Sequence, residues 1–62
     1  MRTRIARWSY AANHYEMILG GHLIHSADGD NWRRGGRPEV SREFERIRIR
    51  LADGPRDGEV VR

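Results

Sequence analysis

Apolar and polar residues alternate most regularly toward the C-terminal end of the chain. Ile47, Ile49 and Leu51 interleave with Arg46, Arg48 and Arg50. In a strand this period of two sets three branched apolar side chains on one face and three guanidinium groups on the other. Phe44 breaks the pattern, because the same strand would carry it to the arginine face. A helix starting at Pro38 gathers Val40, Phe44, Ile47 and Leu51 within an arc of about 60° and has Gly54-Pro55 as its stop, but it turns Ile49 to solvent. A helical turn or two from Pro38 to about Phe44, followed by a strand from Glu45 to Ala52, misplaces neither residue. The pattern therefore predicts a mixed segment over 38–52.

The N-terminal half carries a helical spacing instead. Ile5, Trp8, Ala12, Tyr15 and Leu19 fall within an arc of about 80° at 100° per residue. Ser9 can cap the N-terminus, and Gly20-Gly21 can end the helix in the left-handed conformation. A helix is predicted over 9–19, preceded by a basic arm at 1–7; a strand over 3–10 has only a weak alternation, because Arg, Ala and Trp share a face, and a short strand before the helix is the alternative to the arm. His22–Ser26 then reads as a short strand. Asp28-Gly29 turns it back toward a return run at 31–34, where Trp32 is the only large apolar residue. Gly35-Gly36 breaks the chain, and Pro38 disfavours helix at Arg37. Residues 53–62 are expected to be mobile, or to pair back through 59–62 as a short edge strand. The predicted architecture is α+β: one N-terminal helix packed on a small antiparallel sheet. A small all-β meander is the alternative.

Size narrows the picture. The 62 residues suit a single domain with one thin core. There is no cysteine, which excludes a disulfide and a thiolate zinc site. A homodimer would extend so marginal a core. No apolar run approaches the roughly 18 residues of a membrane span, and no apolar segment of the signal-peptide kind follows the basic N-terminus. An intracellular, cytoplasmic protein is expected, with no membrane partner.

Charge supplies the functional expectation. Twelve arginines and no lysine face nine acids, for a net charge of +3. Arginine makes planar, bidentate contacts to phosphate and carboxylate. Neighbouring guanidiniums on one strand face lie roughly 7 Å apart and repel by about 0.6 kcal/mol in water, so the row tolerates being unliganded. The first expectation is a nucleic-acid-binding module for DNA or RNA. Arg33, Arg34, Arg37, Arg46, Arg48 and Arg50 would contact phosphates, while Trp32 and Phe44 stack on bases. The alternative is a protein-interaction module: a small accessory or inhibitor protein of the kind common in mobile elements, docking on an acidic surface of a larger complex.

Enzymatic chemistry has little footing. No serine has an evident base partner, and no nucleophile elbow or phosphate loop is present. His22 and His25 would point to opposite faces of a strand, and Asp28-Gly29-Asp30-Asn31 lacks the closing glutamate of a calcium loop. No metal, cofactor or catalytic residue is expected.

Overall fold

One tight reversal interrupts the segment where the 9–19 helix was predicted, and a second stands at its predicted stop. In the computed structural model, which describes residues 1–62, strand β1 covers Arg2–Ser9 and strand β2 covers His14–Leu19. Asn13 adopts φ 56°, a left-handed conformation that asparagine tolerates. Its N–H donates to the Ser9 carbonyl at 2.7 Å, and the Ala12 N–H donates to Ser9 Oγ at 3.2 Å. Ser9 therefore stabilises a turn rather than a helix start. The second reversal is Gly20-Gly21, with φ of 57° and 80°. Positive φ at both central residues is what a two-residue type I′ hairpin turn requires. It joins β2 to β3 (His22–Ser26) with Leu19 opposite His22.

The α+β expectation is thereby corrected. The molecule is mostly one six-stranded mixed sheet, closer to the all-β alternative, and no N-terminal helix packs on it. The remaining strands are β4 (Arg33–Arg34), β5 (Arg37–Pro38) and β6 (Ile47–Ala52), in the spatial order β5-β4-β3-β2-β1-β6. Neighbours are antiparallel except β1 and β6, which run parallel from Arg2 opposite Ile47 to Arg7 opposite Ala52. Residues 2–7, expected as an arm, thus lie in a strand with neighbours on both sides.

Segment 38–52 is mixed, but its helical part is shorter than expected: Pro38 ends β5, and helix begins only at Arg42. A one-turn helix α1 spans Arg42–Glu45, capped by Ser41, whose Oγ accepts from the Phe44 N–H at 3.2 Å. β6 follows, with Ile47, Ile49 and Leu51 buried and Arg48 and Arg50 exposed. Phe44 packs in the core instead of beside the arginines, with the Arg62 guanidinium 4.1 Å from its ring centre.

The core lies against one face of the sheet. It comprises Ala6, Tyr15, Met17, Leu19, Ile24, Trp32, Phe44, Ile47, Ile49 and Leu51, with Trp8 and Val61 against it. Tyr15 is fully buried and stacks edge-on to Trp8, ring centres 4.9 Å apart. Its hydroxyl donates to the Asp53 carbonyl at 2.7 Å and accepts from the Arg56 N–H at 2.8 Å. It thereby fixes the 3₁₀ turn Gly54–Arg56 over the core. Only glycine fits at 54: φ is +71°, and a Cβ would sit 2.5 Å from Trp8 Cγ.

Both sheet edges are guarded. β5 is two residues long and includes Pro38, which has no N–H to offer a further strand. The outer edge of β6 is covered by the C-terminal segment: the Leu51 N–H donates to the Glu59 carbonyl at 2.8 Å and the Val61 N–H to the Ile49 carbonyl at 2.9 Å. Residues 59–61 therefore pair back on β6 through one isolated bridge, Arg50 opposite Val60, rather than as an edge strand. Arg56 ties this segment to the loop after β3. It donates to the Asp28 carbonyl at 2.7 Å and pairs with Asp30 at 3.0 Å and Glu59 at 2.9 Å.

Candidate interaction surface

With the core on one face, the β6 edge covered and the other edge reduced to the two-residue β5, the other face of the sheet is the broadest surface left without a covering element. Its residues follow from the strand period of two. β1 contributes Thr3, Ile5 and Arg7; β2 contributes His14, Glu16 and Ile18; β3 contributes Leu23 and His25; β4 contributes Arg33; β6 contributes Arg48 and Arg50. In the register, Ile18 stands opposite Leu23, Ile5 beside Arg50, Arg7 opposite Glu16, and His25 opposite Arg33.

An apolar patch occupies the middle of this face. Ile5, Ile18 and Leu23 are 51%, 55% and 48% exposed, on three neighbouring strands. Basic groups surround them. The acids in contact with basic groups are Glu39 with Arg34, Asp30 and Glu59 with Arg56, and Glu16 with the His14 ring, so Arg7, Arg48 and Arg50 have no acidic partner. Glu16 is the one carboxylate on the face, and it is engaged by His14 Nε2 at 3.0 Å. The His14 imidazole in turn stacks on that of His25, ring centres 4.8 Å apart and 22° from parallel. The face therefore carries an excess of positive charge around an aliphatic centre.

The residues singled out from sequence separate into groups. Arg33, Arg48 and Arg50 lie on this face. Arg34 turns to the opposite side and pairs with the buried Glu39 at 3.3 Å. Its Nε is buried without a hydrogen-bond partner. Arg37 is exposed at the β4–β5 hairpin, where it lines a shallow cleft with Arg34, Pro38, Glu39, Val40 and Ser41. Arg46 is exposed where α1 ends. Trp32 and Phe44 are only 4% and 7% exposed, and the Trp32 indole N–H donates to the Gly29 carbonyl at 3.0 Å. Neither ring offers a free face for a stacked base. The exposed aromatic is Tyr10, at the β1–β2 turn.

Ile5, Arg7, Ile18 and Leu23 are the site residues that sequence reasoning passed over. A signal for two of them was present. Two glycines between short alternating runs mark a hairpin, which sets Ile18 opposite Leu23. Reading Gly20-Gly21 as a helix stop hid that pairing.

No group of three or more His, Cys, Asp or Glu side chains is placed to hold a metal ion. No helix is long and apolar enough to cross a membrane. Asp28 accepts from the Asn31 and Asp30 N–H groups, the Asn31 side chain and Ser26 Oγ, and these bonds hold its carboxyl far below the usual carboxylate range. That network shapes the loop after β3. Comparison with protein-family models, with curated proteins and with solved structures finds no match to this chain.

Proposed function

We propose that this chain is a non-enzymatic protein-docking module that seats the uncovered face of its sheet on an acidic protein surface. The observation that carries the reading is the half-exposed Ile5, Ile18 and Leu23 framed by Arg7, Arg33, Arg48 and Arg50. An apolar centre with an arginine rim is the composition of a protein interface. Covering the exposed half of three aliphatic side chains contributes roughly 2–4 kcal/mol before the entropy of association is subtracted. The partner must be acidic, because arginines without an intramolecular acid reward carboxylates and repel another basic surface. For that reason a second copy of the same face is a poor occupant.

Nucleic-acid binding is the second reading. It is supported by the exposed Arg37, Arg46, Arg48 and Arg50, none of which has an ion-pair partner. With Trp32 and Phe44 in the core, it rests on phosphate contacts alone. Phosphate contacts make affinity fall steeply with salt.

Two double variants separate the readings: Ile18→Thr with Leu23→Thr, and Arg48→Ala with Arg50→Ala. Threonine keeps the strand preference of the positions, so both proteins should fold. Each is compared with the wild type for capture of a protein from nuclease-treated lysate and for the shift of single- and double-stranded probes at low salt. Docking through this face requires that either pair abolish protein capture. Probe shifts lost only on removing the arginines, with no partner retained after nuclease treatment, would establish the nucleic-acid reading instead.

A further inference from the structure

We infer that the element seated on this face is an acidic amphipathic helix lying across the strands. The inference rests on the protein-docking reading above and adds the shape of the partner. An extended peptide is the usual occupant of a sheet, but it adds at an edge through main-chain hydrogen bonds. Here one edge ends in the two-residue β5 with Pro38, and the other is taken by residues 59–61. What remains is the flat of the sheet.

The placement of the apolar residues then selects a helix. Leu23, Ile18 and Ile5 sit on three successive strands, β3, β2 and β1, so the patch runs across the strands rather than along one. Paired strands are about 4.8 Å apart, the separation of Leu23 from Ile18, while Ile5 lies just past the end of the β1–β2 ladder at Arg7–Glu16, and one turn of an α-helix rises about 5.4 Å. A helix crossing the strands therefore meets each of the three with side chains spaced i, i+3 or i+4, and i+7. A strand laid across the sheet would return a side chain to this face roughly every 6.8 Å and fall out of step.

Charge fixes the rest of the pattern. Arg50, in register with Ile5, continues the row onto β6, so the following turn of the helix should present a carboxylate. Arg7 and Arg33 lie along one side of the row, and Arg48 lies along the other. Acidic positions flanking the apolar stripe on both sides would meet them. On the Arg7 side Glu16 is already bound to His14, which leaves the guanidiniums to the partner.

The probe is a synthetic peptide of about 18 residues, five helical turns, with leucines at alternating spacings of three and four and glutamates on both flanks. A scrambled peptide of the same composition, with the periodicity destroyed, is the comparison. Both are titrated into the isotope-labelled full chain, and chemical shifts are followed by NMR. The amphipathic peptide should move the methyl signals of Ile5, Ile18 and Leu23 together, gain helicity on binding, and bind at least about tenfold more tightly than the scrambled one. The Ile18→Thr, Leu23→Thr variant should lose the effect, and added salt should weaken it. Equal binding of the two peptides to this face would overturn the helix while leaving an acidic partner in place. Failure of both peptides, or shifts elsewhere on the chain, would also overturn the helix. In that case face-dependent capture from lysate decides independently whether the docking reading falls with it.

Discussion

Tyr15 shows how single side chains hold this small core. Its ring is fully buried, and its hydroxyl serves the Asp53 carbonyl and the Arg56 N–H at once. Tyr15→Phe would leave both backbone groups without that partner and should lower the free energy of unfolding by about 1–3 kcal/mol in a denaturant titration. A loss below about 0.5 kcal/mol would mean that the 3₁₀ turn does not depend on the hydroxyl. Nothing in the sequence marks this bond, since it joins residues 38 and 41 positions apart. Trp32 and Phe44 were legible as large apolar residues, but their charged neighbours suggested an exposed cluster. A two-residue β4 after Trp32 is too short to display an alternation, and a single helical turn around Phe44 too short to display a stripe. The burial of Trp32 depends on contacts distant in sequence, which local pattern does not record, whereas the mixed reading of 38–52 already turned Phe44 inward.

At the scale of elements, the β6 segment was readable because its alternation runs through the whole strand and only one mixed arrangement accommodates both Phe44 and Ile49. The N-terminal hairpin was not. The inward positions of β1 are Arg4, Ala6 and Trp8, a polar, a small and an aromatic residue, so its period of two is faint. Ile5 faces outward with Arg7, and its chance spacing with Trp8, Ala12, Tyr15 and Leu19 imitates a helix. The stronger signal was Tyr15, Met17 and Leu19, which alternate and are buried together in β2. The β2–β3 turn offers a direct test. Gly21 has φ +80°, and a Cβ there would meet no other atom within 4 Å. Gly21→Ala should therefore destabilise the fold by conformational strain alone, about 1–2 kcal/mol, without altering the core. Thermal unfolding measures the loss, and an unchanged midpoint would argue against a left-handed residue in this turn.

At the scale of the whole molecule, charges are divided by role. Arg56 with Asp28, Asp30 and Glu59 joins the loop after β3 to the C-terminal segment, whereas Arg7, Arg48 and Arg50 are left without acids. The first group makes stability depend on pH. Hydrogen bonds from the Asn31 N–H and neighbouring donors depress the Asp28 carboxyl, and Arg56 depresses that of Glu59. A carboxyl that binds its proton less readily when folded contributes stability above its unfolded range, near pH 4, and loses it as pH falls through the depressed folded value. Denaturant midpoints should be flat near neutrality and decline below about pH 4. Asp28→Asn should remove most of the Asp28 part of that decline; a decline identical to that of the wild type would assign the acid sensitivity elsewhere.

The second group gives the fold its proposed use. A basic sheet face with an aliphatic centre and protected edges has one broad way to meet a partner. The most direct measurement is an NMR titration of the labelled full chain with the protein captured from nuclease-treated lysate. The methyl signals of Ile5, Ile18 and Leu23 are expected to shift or broaden together, while those of the core residues Ile24, Ile47 and Ile49 stay in place. Shifts confined to the β5 edge and the cleft at 37–41, with the three outward methyls unmoved, would contradict docking through this face.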